Sequence, residues 1–156
     1  MAKELMEIGG FITSGAEIVN HDASLSGNGT VDSPLGLNET VLWENSEGSR
    51  GTLTLSDNCN NYDRLRVYWD VWNQGDYRRN ITELDASVTK GLLTATYFNT
   101  TNNAFFSMLY TVSLSGTSFS ILGNRYNNWT NNTVTDGGTN SITIYKIVGI
   151  NRIANN

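Results

Sequence analysis

The stretch from His21 to Asn38 constrains this chain most, because it holds too many turn residues for a long strand or helix. It reads HDASLSGNGTVDSPLGLN and contains the only proline of the chain, Pro34. Glycine and asparagine accept a positive φ, and proline fixes φ near a turn value. The segment is therefore predicted to double back in two or three very short strands. Such strands are not stable alone, so we predict that several copies of the chain wind about a common axis.

The same residues carry a resemblance to a known family. The pattern D-x-x-L-x-G-x-G-T-x-x-x-P-L-G, from Asp22 to Gly36, resembles the short repeat of fibre proteins from tailed bacteriophages. Residues 51–57, 61–68 and 142–150 are similar to the tip domains of such fibres. The resemblance implies an intertwined trimeric β stem before a C-terminal tip, and a role in the virion. The residues assigned to the trimer stem are Leu25, Gly27, Gly29, Pro34, Leu35, Gly36 and Leu37.

Composition limits the size and the partners of the protein. A length of 156 residues fits one domain, with or without an appendage. Charged residues make up only 16% of the chain, and 21 residues are asparagine, which suits short strands joined by polar turns. The net charge of −5 argues against a nucleic-acid partner.

Cysteine content and hydropathy bear on the compartment. Cys59 is the sole cysteine, which excludes an internal disulfide. Met1–Gly10 lacks the apolar run of a signal peptide, and no segment has the length of a membrane span. We therefore expect no membrane insertion and synthesis in a cytoplasm. The resemblance to phage fibres implies that this is the host bacterial cytoplasm and that the protein is located in the virion.

Alternating apolar residues predict an all-β tip over residues 39–156. Leu65, Val67, Trp69 and Val71 share one face of the clearest strand, and residues 104–114 alternate in the same way. In the last strand Lys146 interrupts an apolar face, which predicts a β-bulge that turns the lysine outward. Seven or eight short strands without a long helical pattern indicate a β-sandwich of jelly-roll-like type. For residues 81–90 the sequence pattern does not distinguish between a strand, a loop and one helical turn.

The first twenty residues lack a strand pattern but carry large apolar side chains. A frayed terminus and a docking peptide for other virion proteins are both open here. The candidate docking residues are Leu5, Met6, Ile8, Phe11 and Ile12.

The sequence offers little for catalysis. His21 is the only histidine and lies in the stem segment, and no metal-ligand spacing or nucleophile motif is present. Glu83 and Asp85 imitate a glycosidase pair, but a solvated strand face explains them better. We therefore expect no enzymatic activity, no cofactor and no metal.

Two polar, aromatic segments are better candidates for binding. Residues 72–80 and 124–136 are predicted loops in which aromatic rings can stack on sugars while amides and guanidinium groups bind hydroxyls. The alternative is that their tryptophans seal the core or a subunit interface. The candidate receptor-binding residues are Trp72, Tyr77, Arg78, Arg79, Tyr126, Asn128 and Trp129.

These features together predict a homotrimeric virion fibre protein of a tailed phage. Residues 1–20 would dock on the particle, residues 21–38 would form the stem, and residues 39–156 would form a tip that attaches to a host-surface glycan or protein. A head or collar decoration without a specific receptor is a rival interpretation. A free carbohydrate-binding module and a small hydrolase are two others, and the first of these would be monomeric.

Deletion of Met1–Asn20 tests the docking hypothesis. The shortened protein should remain a folded trimer but should no longer join particles, because its apolar anchors are gone. Immunoblots of purified particles measure incorporation. Incorporation at the level of the full chain would contradict a docking role.

Overall fold

A computed structural model describes residues 25–27, 31–32, 36–73, 76–100, 103–137 and 142–152. Within these residues the chain forms eleven β-strands and one 3-10 turn at Cys59–Asn61. Contacts between Cα atoms divide the chain into two units, Met1–Asn38 and Glu39–Asn156. The strands are β1 (Leu25–Ser26), β2 (Gly36–Leu37), β3 (Glu39–Ser49), β4 (Thr52–Thr54), β5 (Tyr62–Asn73), β6 (Asp76–Asp85), β7 (Lys90–Asn99), β8 (Ala104–Ser115), β9 (Ser118–Asn128), β10 (Thr133–Gly137) and β11 (Ile142–Arg152).

The first unit contains the two shortest strands. β1 and β2 pair antiparallel, with Leu25 opposite Leu37 and Ser26 opposite Gly36. Gly27 follows β1 with φ of 84°, a left-handed conformation that glycine adopts without steric cost. The described part of the turn-rich segment thus doubles back as predicted. Gly29, Pro34 and Leu35 of the predicted stem, and all five predicted docking residues, lie outside the described residues.

The second unit consists of two antiparallel sheets, so the predicted all-β class is confirmed. One sheet has the order β3-β11-β5-β6. The other has the order β10-β9-β8-β7, and β4 pairs with the start of β9 along the edge that β10 occupies further on. This arrangement is compatible with a β-sandwich.

One hydrophobic core draws side chains from both sheets. The predicted inward faces of β5 and β8 are buried, with Leu65, Val67 and Tyr110 fully enclosed. The rings of Trp69 and Tyr110 meet edge to face with centroids 5.7 Å apart, a favourable aromatic geometry. Because Trp69 lies on β5 and Tyr110 on β8, this contact joins the two sheets.

The predicted bulge in the last strand is also present. The pairing of β11 with both neighbours shifts register between Ile144 and Lys146. Lys146 lies outside the core, where its Nζ is 3.3 Å from Glu44 Oε1. After the bulge, Ile147 takes the inward position and is fully buried.

The region left open at residues 81–90 is resolved as the end of β6, a turn and the start of β7. Asp85 shapes this turn, because its Oδ1 accepts hydrogen bonds from the Ser87 N–H at 2.8 Å and the Ser87 hydroxyl at 2.6 Å. These two bonds lower the pKa of Asp85. The carboxylate therefore stabilises a turn.

Gly149 on β11 provides a stability test. A Cβ at this position would lie 2.5 Å from Cδ1 of Tyr62, a ring that is only 1% exposed. Gly149→Ala should therefore lower the unfolding free energy by about 1–3 kcal/mol, the usual cost of overpacking. Denaturant titration measures this change.

Gly91→Ala is the matched control. Its added Cβ would meet the Leu84 Cδ2 methyl group at 3.0 Å, and a leucine end can move more easily than a buried ring. We expect a smaller loss of stability. Equal losses in the two variants would contradict the packing argument.

Candidate functional site

Residues 72–73 and 76–80 form paired strands, which corrects the predicted loop. Trp72 lies opposite Tyr77, and Asn73 opposite Asp76, at the end of the β5–β6 hairpin. β6 is an edge strand, and an edge strand with a solvated face tolerates polar residues. Polar composition was therefore a poor signal for a loop here. For Trp72, Tyr77 and Arg78 the description covers only the backbone.

The predicted loop at residues 124–136 is likewise a hairpin made by the end of β9, a turn and β10. Tyr126 is half-buried, and its ring contacts that of Phe106 at a centroid distance of 6.3 Å. The Asn128 Oδ1 accepts the Thr130 N–H at 3.0 Å. Both residues thus have structural contacts within the fold.

Of the two predicted binding aromatics whose side chains are described, Trp129 is more exposed than Tyr126. Its side chain is exposed, and the residue has a relative exposure of 61%. The indole N–H donates to the Ser107 hydroxyl at 3.2 Å, and the backbone N–H donates to the Phe105 carbonyl at 2.8 Å. The ring is therefore held beside β8 without entering the core.

Trp129 belongs to a larger apolar surface on one sheet. The side chains that alternate with the buried ones on β7 and β8 point away from the core, and several of them are large and apolar. We name these exposed side chains, together with two neighbours on or directly after β9, the apolar face. Its members are Leu92 and Phe98 on β7, Phe105 on β8, Leu122 on β9 and Trp129 directly after β9, each at least 42% exposed. Phe98 and Phe105 contact each other at a centroid distance of 6.3 Å.

The outer face of the other sheet is charged instead. Arg66 donates to Glu83 at 2.8 and 2.9 Å and also pairs with Glu39, and Arg64 donates to Glu83 at 2.8 Å. The hydrogen bond with Glu83 raises the pKa of Arg66 above its usual value. Glu83 is therefore engaged in an ion-pair network, whereas Asp85 accepts the hydrogen bonds of its turn.

A cleft opens on this charged sheet at the bulge of β11. Its volume is about 600 Å³. Ile144 lies opposite Ser49 and Lys146 opposite Glu44, so residues 45–48 of β3 have no partners in the register opposite Tyr145. Residues 44–46 of β3 line one side of the cleft, and residues 79–81 of β6 line the other.

Asp70 and Arg79 lie next to each other in this cleft. Asp70 is only 3% exposed, and its Oδ1 has no hydrogen-bond partner among the described residues. Among the described side chains it pairs with the cation Arg79, whose Nε is 3.9 Å away and whose side chain is 87% exposed. The Arg79 guanidinium lies over the Tyr145 ring at 5.7 Å from its centroid, within cation–π range.

Sequence reasoning included Arg79 but missed Asp70 and Tyr145. These two residues are far apart in the chain and are brought together only because β11 is inserted beside β5. The one available signal was the charge of Asp70 among the aromatic and apolar residues 67–72.

Nucleophilic and metal chemistry find little support in the described part of the chain. Cys59 is buried, and burial raises the pKa of its thiol, the opposite of what a thiolate nucleophile needs. Among the described residues, no group of three or more His, Cys, Asp or Glu side chains could hold a metal ion.

No helix among the described residues is long and apolar enough to cross a membrane.

Comparisons with known proteins add no family assignment. No protein-family model matches the chain, and no curated protein sequence matches it.

Trp129→Ala and Trp69→Ala test whether each tryptophan acts as a surface residue or as a core residue. Trp69 is 1% exposed, and its indole N–H donates to Thr82 at 3.0 Å, so its loss should cost about 3–5 kcal/mol and lower the melting temperature by several degrees. Trp129→Ala should leave the melting temperature nearly unchanged and weaken attachment to cells. A thermal melt and a cell-binding assay measure the two effects. Destabilisation by Trp129→Ala with unchanged attachment would contradict a binding role.

Proposed function

We propose that the chain is a structural virion fibre protein of a tailed phage whose β-sandwich tip attaches the particle to the host surface. The apolar face carries this proposal, because its five large apolar side chains are each at least 42% exposed, and exposed apolar groups gathered on one face of a sheet often mark a contact surface. A second copy of the chain is the simplest cover for it. Self-association also gives the short β1–β2 hairpin the additional strands that it needs for stability.

The homotrimer follows from the turn-rich segment and its resemblance to phage fibre repeats. Leu25 and Leu37 lie opposite each other, and the described part of this hairpin has two residue pairs, which have little apolar surface of their own to bury. Three such hairpins around one axis would enclose these leucines. Residues 21–38 would then be the stem, and residues 1–20 would dock on the particle.

Attachment is supported by what lies on the rest of the tip. Arg79 is exposed on the charged sheet, away from the apolar face, and an exposed guanidinium group is suited to glycan or protein receptors. Three tips on one stem would also gain avidity from a weak single-site interaction.

A head or collar decoration is the second candidate. It is favoured by the shortness of the paired stem strands, because β1 and β2 have only two residues each. Such a decoration would share the trimer but would not require a receptor. A free carbohydrate-binding module would have no use for the stem.

The oligomeric mass tests the proposal, and two stem variants locate its cause. Light scattering should give three times the chain mass for the full protein. Leu25→Asp and Leu35→Asp should each reduce the trimer fraction, because a carboxylate buried without a partner is costly. Ser26→Asp, on an exposed position beside Leu25, is the control and should assemble normally.

A stable monomer at micromolar concentration would overturn the fibre. Normal assembly of both leucine variants would show that these side chains do not face the axis. Competition between purified protein and particles for attachment to cells separates a receptor-binding fibre from a decoration, which should not compete.

A further inference from the structure

The Asp70 carboxylate is a buried acceptor that the fold leaves without a hydrogen bond. Its Oδ1 is 3.9 Å from Arg79 Nε, beyond the 2.7–3.2 Å of a hydrogen bond. A buried polar atom without a partner is costly, and more so when it is charged. Such an atom on the wall of an open cleft is a position that a ligand donor can satisfy.

Arg79 supplies hydrogen-bond donors at the same place. Apart from the long ion pair with Asp70 and the stacking on Tyr145, the described structure gives its guanidinium no hydrogen bond or ion pair. The Asp70 Oδ1 is shielded from solvent, so a ligand reaches it only after neighbouring side chains shift, and Arg79 is one of these neighbours. A side chain that is 87% exposed can make such a shift at little cost.

The rest of the cleft combines aromatic, apolar and balanced charged groups. Tyr68 and Tyr145 offer ring surface, and Ile81 on β6 is 63% exposed. The second charged pair, Lys146 with Glu44 at 3.3 Å, balances its own charge as Asp70 and Arg79 balance theirs. A neutral ligand therefore suits the cleft better than an anion or a cation.

We propose that this cleft binds a neutral sugar ring through two adjacent hydroxyl groups. One hydroxyl donates to Asp70, its neighbour accepts from Arg79, and the C–H face of the ring packs on Tyr145. The volume of about 600 Å³ is within the range of small-molecule sites and admits a terminal sugar of a longer chain. The inference rests on the proposed attachment function and identifies the chemistry of its receptor.

Amide chemical shifts of the full-length, isotope-labelled protein test this proposal. The probes are glucose, galactose, mannose and N-acetylglucosamine, with glucuronate and glucosamine as charged counterparts. At least one neutral sugar should shift the amides of residues 44–46, 68–70, 79–81 and 145–146 and should bind more tightly than its charged counterpart. The proposal is overturned if no neutral sugar binds, if the shifts fall elsewhere, or if the charged sugars bind more tightly.

Two variants identify the residues responsible. Asp70→Asn keeps the shape but removes the charge, and Arg79→Met removes the donors. Each should weaken binding about tenfold or more, the fold-change expected for one hydrogen bond to a charged group. Because Arg79 is exposed, Arg79→Met should fold normally even if Asp70→Asn does not.

Arg64→Met is the matched control. Arg64 lies on the same strand and the same outer face as Asp70, but it pairs with Glu83 outside the cleft. The sugar affinity of the Arg64→Met variant should equal that of the unchanged protein. An equal loss in Arg64→Met and Arg79→Met would overturn the assignment.

The sugar site and the fibre can fail separately. A trimer that competes with particles for cells but binds no neutral sugar would overturn the sugar site and leave the fibre intact. A monomer with sugar-dependent shifts in the cleft would support the sugar site and overturn the fibre.

Discussion

The register shift in β11 is the constraint on which the second unit depends. β11 lies between β3 and β5, so a shift in this strand alters the pairing on both sides. Ile142 and Ile144 before the shift and Ile147 after it are all fully buried. A regular strand would turn position 146 inward and position 147 outward, which would bury the ammonium of Lys146. The bulge thus keeps the core apolar and leaves the lysine beside Glu44.

The same irregularity creates the cleft. β3 follows the shift by leaving residues 45–48 unpaired, and Gly48 lies in this segment with φ of 70°. A Cβ on Gly48 would clash with Thr143 and lie 3.0 Å from the Tyr145 ring, so glycine allows β3 to approach that ring closely. The β-bulge that keeps Lys146 out of the core therefore also positions Tyr145 beside Arg79 and Asp70. Stability and the candidate site share one origin.

The fold class could be predicted from the sequence where strands alternate and are buried on one side. The inward residues of β5 and β8, and the bulge at Lys146, gave clear signals. The hairpin ends at residues 72–80 and 124–136 did not, because β6 and β10 are edge strands whose polar residues imitate loop composition. The cleft could not be predicted, because Asp70, Arg79 and Tyr145 meet only through the strand order and the bulge. Three of the seven predicted stem residues and all five predicted docking residues lie outside the described residues.

The two outer faces of the second unit differ in character, and the proposed fibre would use one for self-association and the other for the receptor. The apolar face carries exposed leucine, phenylalanine and tryptophan side chains, and depletion of charge is typical of the centre of an interface. The opposite sheet carries the network of Arg64, Arg66 and Glu83, and desolvating such ion pairs would be costly. In the proposed fibre, self-association would therefore use the apolar face, and the charged sheet with its cleft would remain in water. An open, neutral cleft would hold a single sugar ring weakly, so the proposed attachment would require several copies on one stem. The surface that would bring copies together and the surface that would meet the receptor are thus compatible, because they lie on different sheets.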